Sequence, residues 1–200
     1  MSETKEKIKD ILAVVIVWLM LRWDDIKDTL VTFAVTFLAV LVVSNFLFKP
    51  VRVDGTSMHP TIKDSSIGFS SIVGKTLGEI ERFDIVIIQP EGREAELIKR
   101  VVGLPGETIE FSAGVLYVNG QKVDEPFLDP GYVAMELART GREYFTADFT
   151  YTLGKDEYFC MGDNRIVSAD SRVYGPFTKD EIVARGLFVI WPFASFGFAE

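Results

Sequence analysis

The hydrophobic pattern of the chain changes character near residue 48. Before that point, the stretch LVTFAVTFLAVLVVSNFLF from Leu30 to Phe48 contains no charged residue. A helix rises about 1.5 Å per residue, so this stretch can cross most of the roughly 30 Å hydrocarbon core of a bilayer. The pattern predicts a transmembrane helix over residues 30–48, with a buried core helix as the alternative. A cleavable signal peptide is disfavoured, because the stretch starts far from Met1 and no small-residue cleavage pattern follows.

A second apolar run, ILAVVIVWLML at residues 11–21, is too short to cross a bilayer unaided. It predicts an interfacial or partly inserted helix within a cytoplasmic or interfacial segment, residues 1–29. Basic residues are more frequent before the long span than after it, so the positive-inside rule places the N-terminus in the cytoplasm and the chain after Phe48 outside. If the first run also spans, the N-terminus lies outside. The C-terminal domain is then still outside only if residues 22–29 are cytoplasmic.

Residues 49–200 contain short β-branched and aromatic runs separated by Gly, Pro, Asn and Asp, which predicts a mostly β extracytoplasmic domain. The pair Asn119-Gly120 is typical of a two-residue hairpin turn. Short helices are indicated at most at 136–140 and 178–186, and residues 129–156 are predicted to form an insertion or extended loop. The predicted strands lie in SIGFSSIV, FDIVIIQP, ELIKRVVG, ETIEFSAG, VLYVNGQKV, FTYTL, EYFCMG and GLFVIWPF.

Composition narrows the functional classes. The chain carries 29 acidic and 21 basic residues, a net charge of −8, and no Lys/Arg cluster that could follow a phosphate backbone. Nucleic acid is therefore not an expected partner. The single cysteine, Cys160, excludes an internal disulfide framework, and its apolar surroundings in YFCMG predict a buried strand position. One cysteine and one histidine do not make a zinc-type ligand cluster.

Ser57 lies in the sequence DGTSMHPT and is a candidate nucleophile, provided that a neighbouring base accepts its proton. The one histidine of the sequence, His59, stands two residues away and directly before Pro60. This position favours an extended backbone and leaves little freedom for a hydrogen bond between serine and imidazole. We expect His59 to be a surface-loop histidine. The sequence has no GxSxG motif, which argues against an α/β-hydrolase.

Lys99 is the better candidate base. Burial disfavours the charged form of a lysine and lowers its pKa, which lets the amine accept a proton. If residues 97–102 form a strand, alternation places Lys99 on the same face as Leu97 and Val101. An edge-strand lysine without a catalytic role is the plain alternative.

Four motifs follow the predicted span in order: SMHPT at 57–61, ERFDIVII at 81–88, ELIKRVVGLPGETI at 96–109 and MGDNRIVSADSRVYG at 161–175. Together they resemble the bacterial type I signal peptidases, also called leader peptidases, in the short form of Gram-positive bacteria. The resemblance covers most of residues 49–200 and extends to the aromatic ending VIWPFASFGF.

The resemblance implies a role for each matching residue. Ser57 matches the nucleophile and Lys99 the general base of a Ser/Lys dyad. Ser168 matches a hydroxyl that hydrogen-bonds to the lysine amine and positions it. Three further polar residues match groups that hold the site together through hydrogen bonds and ion pairs: Asp163, Asp170 and Arg172.

Two positions depart from the family pattern. Some members carry a serine two residues before the nucleophile, where this chain has Gly55. The backbone N–H of Ser57 is then the expected oxyanion donor, with the Thr56 hydroxyl as an open second candidate. The pair Ile166-Val167 replaces residues that are frequently polar, which makes the surroundings of Ser168 more apolar and favours a neutral Lys99.

The implied fold is a mostly antiparallel β structure with a catalytic core and a smaller β insertion, preceded by the transmembrane helix. The implied substrates are secretory preproteins, cut after small residues at the first and third positions before the bond. Shallow pockets lined by residues such as Met58 and Ile98 would admit alanine and exclude bulk. The resemblance further implies a cell-membrane location, membrane lipid as a partner, and no metal or cofactor.

Two rival functions share some of these features. Self-cleaving repressors use a Ser/Lys dyad on a related β fold, but they are soluble and carry a DNA-binding domain. The 30–48 span and the acidic composition argue against them. A membrane-anchored β scaffold without activity is the other rival, and the presence of both Ser57 and Lys99 argues against it.

Overall fold

A computed structural model of the chain describes residues 11–18 and 22–199. The chain separates into two compact units, Met1–Asn45 and Phe46–Glu200. Part of the predicted 11–21 helix lies outside the described residues, but residues 11–18 are helical and exposed.

Helix α1, Trp23–Leu47, covers residues 30–47 of the predicted span. It begins seven residues earlier than the apolar pattern indicated and ends at Leu47, because Phe48 is the first residue of a strand. None of the described helix residues is buried. By its length and apolar composition α1 is a candidate membrane span.

The second unit consists of twelve strands and three short α-helices among the residues that the structure describes, with a 3₁₀ turn at Phe193–Ser195. The strands are β1 Phe48–Arg52, β2 Ile67–Ser71, β3 Ile85–Ile88, β4 Leu97–Gly103, β5 Thr108–Ser112, β6 Val115–Val118, β7 Gln121–Val123, β8 Phe149–Thr152, β9 Glu157–Met161, β10 Phe177–Thr178, β11 Ile182–Trp191 and β12 Gly197–Phe198. The helices are α2 Ile72–Leu77, α3 Pro130–Thr140 and α4 Ser171–Tyr174.

The larger sheet has the strand order β1-β2-β11-β3-β4-β9-β10, with β12 paired to β11, and all pairings are antiparallel. The central strand β3, a continuous apolar run, is buried along its whole length, and its neighbour β4 is buried from Lys99 onward. One core cluster of this sheet packs Val51, Met58 and Ile87 together, with Ile98 against its side. The site described below lies at the edge of this cluster.

The smaller sheet has the order β7-β6-β5-β8. Asn119 and Gly120 connect β6 to β7 with φ values of 50° and 78°, so the predicted tight hairpin is confirmed. Phe111 and Leu116 form its core together with Phe159 of the larger sheet. The mostly antiparallel β class with a smaller β part is therefore confirmed.

Local predictions fail in three places. Residues 178–186 form a turn and the start of β11 instead of a short helix, since Ile182 and Ala184 alternate inward as in a strand. The helix indicated at 136–140 is longer, Pro130–Thr140, because the Asp129 side chain accepts the Tyr132 N–H and caps its start. With β8 it gives residues 129–156 regular structure, so the extended-loop alternative is wrong. Helix α2 was not predicted.

A buried arginine connects the two sheets. The Arg165 guanidinium, whose side chain is 0% exposed, ion-pairs with Glu125, which follows β7. It also donates to the Gly162 carbonyl oxygen and to the Thr146 hydroxyl, each at 3.0 Å. Because Arg165 lies in the loop after β9, this network fixes that loop against the smaller sheet.

Removing the carboxylate from this network should destabilise the fold. In Glu125→Gln the guanidinium of Arg165 stays buried without its counter-charge, a change that typically costs about 3 kcal/mol or more. We expect a clearly lower Tm for the full chain in detergent. The matched control is the neighbouring Asp124→Asn, whose side chain is 84% exposed and pairs with Lys122 at the surface. An unchanged Tm for Glu125→Gln would contradict the stabilising role of the network.

Candidate active site

The turn before Ser57 depends on a glycine. Gly55 has φ +107°, a conformation that residues with a Cβ rarely adopt, and its N–H donates to Asp64 Oδ1 at 2.7 Å. After the turn, Met58 is buried and its carbonyl oxygen accepts the Ile62 N–H at 2.9 Å. Ser57 is thereby held at the edge of the core with its side chain half-buried.

Lys99 reaches Ser57 from strand β4. Its residue is 3% exposed, and its Nζ donates to Ser57 Oγ at 2.9 Å and to the Ile98 carbonyl oxygen at 2.9 Å. Pairing of Lys99 with Val86 of β3 fixes its backbone within the sheet. Two residues that are 42 positions apart in the sequence therefore form a hydrogen-bonded pair at the edge of an apolar core.

The environment of Lys99 favours its neutral form. Burial lowers the pKa of Lys99 from 10.5 to about 8, although the negative charges of Asp170 and Asp163 act in the opposite direction. A lysine with a pKa of about 8 has a substantial neutral fraction in mildly alkaline solution. Such an amine can accept a proton from a hydroxyl, which an ordinary surface lysine does poorly at neutral pH.

Arg100 and Asp163 form a buried ion pair beside the dyad. Arg100 Nε and Nη2 donate to the two oxygens of Asp163 at 2.9 and 2.8 Å, and the Asp163 residue is 0% exposed. The same carboxylate accepts the Thr61 hydroxyl at 2.6 Å. Asp163 thus connects the strand that carries Lys99 to the segment that carries Ser57.

The loop after β9 holds the backbone of the nucleophile. The Asn164 N–H donates to the Ser57 carbonyl oxygen at 3.0 Å, and its side-chain amide donates to the Thr56 carbonyl oxygen at 3.3 Å. The sequence analysis did not identify Asn164, although it lies within the motif MGDNRIVSADSRVYG next to Asp163. A glycine is required at position 162 because the backbone of Ser57 passes close by, and a Cβ there would lie 2.4 Å from the Ser57 carbonyl oxygen.

The three remaining predicted residues lie around this loop. The Ser168 hydroxyl is buried without a hydrogen-bond partner, so the expected bond to the Lys99 amine is not formed in this structure. Asp170 is buried and ion-pairs with Arg172 at 2.8 Å. Burial opposes ionisation of Asp170, but hydrogen bonds from Arg172 and the Gly162 N–H keep its pKa below the usual value.

His59 takes another position. Its Nε2 accepts the backbone N–H of Asp64 at 3.3 Å, and no hydrogen bond joins it to Ser57 among the described residues. The imidazole is half-buried in the loop after the nucleophile. This geometry gives Ser57 one basic partner within hydrogen-bond distance in the described part of the chain, and that partner is Lys99.

A cleft of about 560 Å³ opens beside the dyad. One wall is formed by Pro50–Ser57, and the other by residues 94–99. Both predicted pocket residues, Met58 and Ile98, line it. In the residues that the structure describes, no group of three or more His, Cys, Asp or Glu side chains is placed to hold a metal ion.

Two strand edges face this cleft without a partner strand. β1 ends the larger sheet and pairs with β2 alone, and β4 pairs with β9 only from Arg100 onward. Residues 97–99 of β4 therefore use one edge for β3 and leave the other edge open among the described residues. An extended peptide can add to such edges through backbone hydrogen bonds.

The sequence of the chain is similar to those of known proteins. A sequence model of the family described as "Signal peptidase, peptidase S26" matches residues 26–191. The chain belongs to the signal peptidase family. The match includes α1 from residue 26 onward, both walls of the cleft and every residue of the site above.

Curated relatives of this signal peptidase family align over most of their length. Signal peptidase IB of Staphylococcus aureus strain COL is 33% identical over 183 residues, which cover 86% of this chain and 93% of that protein. Signal peptidase I S of Bacillus subtilis strain 168 is 41% identical over 155 residues, 76% of this chain and 82% of that protein. A crystal structure of a signal peptidase I from Enterococcus faecalis V583 has 31% identity and a TM-score of 0.47, covering 54% of this chain and 96% of that one.

Burial of Lys99 should reduce the stability of the fold in a pH-dependent way. The unfolded lysine has the ordinary pKa of 10.5 and the folded one about 8, so the destabilisation is fully present below pH 8 and is lost as the pH rises past 10.5. We expect Lys99→Met to raise the free energy of unfolding by up to about 3 kcal/mol at pH 7. The gain should shrink between pH 8 and pH 10.5.

The measurement is the Tm of the full chain in detergent at pH 7 and pH 10.5. Ser57→Ala is the matched control, because it removes the other member of the pair and keeps the buried amine. A Lys99→Met chain whose Tm advantage is the same at both pH values would show that Lys99 is not desolvated.

Proposed function

We propose that this chain is a membrane-bound serine endopeptidase that removes signal peptides from secretory preproteins, with Ser57 as nucleophile and Lys99 as general base. The observation that carries the proposal is the 2.9 Å contact between Lys99 Nζ and Ser57 Oγ. Burial of that amine supports a basic role for it. The family to which the chain belongs supports the substrate class.

The proposed reaction is acyl transfer in two stages. The neutral Lys99 amine takes the Ser57 proton as Oγ bonds to the carbonyl carbon of the scissile peptide. The ammonium then gives that proton to the departing amine as the C–N bond breaks, which leaves an ester on Ser57. Water, activated by the same amine, hydrolyses the ester and releases the acid. One proton moves through Lys99 in each stage, and both groups are regenerated.

Backbone and hydroxyl groups are proposed to complete the site. The Ser57 N–H has no hydrogen-bond partner among the described residues and is free to stabilise the oxyanion. The Thr56 hydroxyl is exposed and stays the open second donor. When Lys99 takes the proton of Ser57, the unpaired Ser168 hydroxyl is proposed to accept a hydrogen bond from the resulting Lys99 ammonium. Two ion pairs, Arg100–Asp163 and Arg172–Asp170, keep these groups in place.

The two open strand edges support an extended substrate in the cleft. Backbone hydrogen bonds to β1 and β4 would position any sequence, while alternate side chains point to the same wall. We assign the first residue before the bond to the region of Met58 and the third to the region of Ile98. Small side chains at both positions, as in Ala-X-Ala, fit such shallow apolar surfaces.

Membrane attachment is proposed to occur through α1, with residues 1–29 cytoplasmic or interfacial, the span within 30–48 and the catalytic domain, 49–200, on the extracytoplasmic side. The mean hydropathy of an 18-residue window in α1 is 2.4. A second lipid contact is supported by an exposed aromatic patch at the end of the chain, which consists of Trp191, Phe193, Phe196 and Phe198. Aromatic side chains in such numbers at a surface are typical of membrane interfaces.

The dyad is tested by substitution in the full chain with a preprotein as substrate. Ser57→Ala and Lys99→Ala should each abolish cleavage, since nucleophile or base is missing. His59→Ala is the control and should keep most of the activity, because its imidazole binds the Asp64 N–H instead of Ser57. Processing is followed by gel mobility and the cleavage site by mass spectrometry. Loss of activity in a folded His59→Ala chain would contradict the lysine-base mechanism.

The pH dependence of kcat/KM tests the base directly. Lys99 must be neutral in the free enzyme, so kcat/KM should rise with pH and level off above the folded pKa of about 8. Lys99→Arg should be inactive at every pH tested, because guanidinium stays protonated. Substantial activity of Lys99→Arg, or a profile that is flat from pH 6 to 10, would contradict the assignment.

A further inference from the structure

Charged residues line both walls of the cleft together with apolar ones. Along β1 and the residues after it, buried side chains alternate with exposed ones, so Val51 and Val53 are buried and Lys49, just before the first wall, is half-buried on the same side. Along the second wall, Glu96 stands two positions before Ile98. The period of two is that of an extended strand.

Lys49 and Glu96 form an ion pair beside the cleft, and Glu96 lines its second wall. Their side chains are 29% and 34% exposed. Lys49 belongs to β1 and Glu96 directly precedes β4, two strands that are not neighbours in the sheet, so the pair joins the segments that form the two walls. Glu96 stands three residues from Lys99 along the second wall, which places the pair at that end of the cleft.

We propose that Lys49 and Glu96 form a third side-chain subsite, which reads the fifth residue before the scissile bond; this rests on the function proposed above. If the first and third residues face Met58 and Ile98, the next residue on that side is the fifth. It lies about 6.6 Å further along an extended chain, at the level where Glu96 follows Ile98. The second and fourth residues point away from this wall.

The charge of the subsite determines its preference. Glu94 also lines the cleft and has no ion-pair or hydrogen-bond partner among the described residues. Arg52 and Asp54, which line it as well, pair with each other at 3.7 Å, so two carboxylates and the Lys49 ammonium are left at this end. A basic or neutral polar side chain gains carboxylate oxygens as partners. An acidic one is repelled, and a bulky apolar one removes water from the Lys49–Glu96 pair without replacing its hydrogen bonds.

The test uses the full chain in detergent and peptides that differ only at the fifth residue before the bond, Lys or Glu. The wild-type chain should cleave the Lys peptide with a kcat/KM about tenfold higher than the Glu peptide, as expected for a partly exposed charge contact. Glu96→Gln should lower this ratio to near or below one, because Lys49 is then unpaired. Lys49→Gln should raise the ratio.

Two controls separate the subsite from general charge effects. Lys122→Gln, in the exposed β6–β7 hairpin region, should leave the ratio at the wild-type value. The same Lys/Glu exchange at the fourth residue should give a ratio that Glu96→Gln does not change. Opposite shifts by the two cleft variants at the fifth residue alone would support the subsite.

The outcomes distinguish this subsite from the proposed function. If the wild-type chain cleaves the peptides and neither cleft variant alters the ratio at the fifth residue, the subsite is wrong while the peptidase function stands. If the variants alter it equally at the fourth and fifth residues, long-range charge is the cause and the subsite is again wrong. If no peptide or preprotein is cleaved by the wild-type chain, both proposals are overturned.

Discussion

The buried ion pair between Arg100 and Asp163 is the interaction on which the site geometry depends. Arg100 directly follows Lys99 on β4, and the same Asp163 carboxylate accepts the hydroxyl of Thr61, four residues after Ser57. One side chain therefore fixes the strand of the base and the segment of the nucleophile. Removing either charge would leave the other buried and unpaired, which is far more costly than losing a surface pair. The 2.9 Å contact of the dyad follows from this constraint.

Strand alternation explains why two adjacent basic residues, Lys99 and Arg100, have different partners. Lys99 and Arg100 point to opposite sides of β4, so the guanidinium meets a carboxylate while the amine meets a hydroxyl and a carbonyl oxygen. Arg100 has both oxygens of Asp163 as partners. Lys99 has no carboxylate in direct contact, and its burial outweighs the opposing charges of Asp170 and Asp163, so its pKa falls to about 8. Burial of this amine costs some stability, as perturbed groups at functional sites commonly do.

The sequence predicts the parts of this structure that local patterns encode. Alternation located the strands around Lys99 and Cys160, and Asn119-Gly120 located a hairpin. Residues 178–186 were misassigned because their polar residues mimic a helical period over one turn, whereas the pairing with β3 that makes them a strand is long-range. Long-range contacts also hid Asn164 and the Lys49–Glu96 pair, which is 47 positions apart. The sequence analysis paired Ser57 with Lys99 from the order of the family motifs, because the spacing of the two residues alone does not predict their contact.

Open strand edges are normally a hazard, because they recruit other chains. Here the edges of β1 and of residues 97–99 face each other across a cleft, with a charged pair at one end and the dyad at the other. A flanking charge discourages indiscriminate strand addition, while the cleft still offers backbone groups to a single extended segment. Backbone recognition is independent of side chains, so discrimination falls to the few alternate positions that face the wall. A site built in this way suits the proposed function, since it would accept many different preproteins and still reject most peptide bonds within each of them.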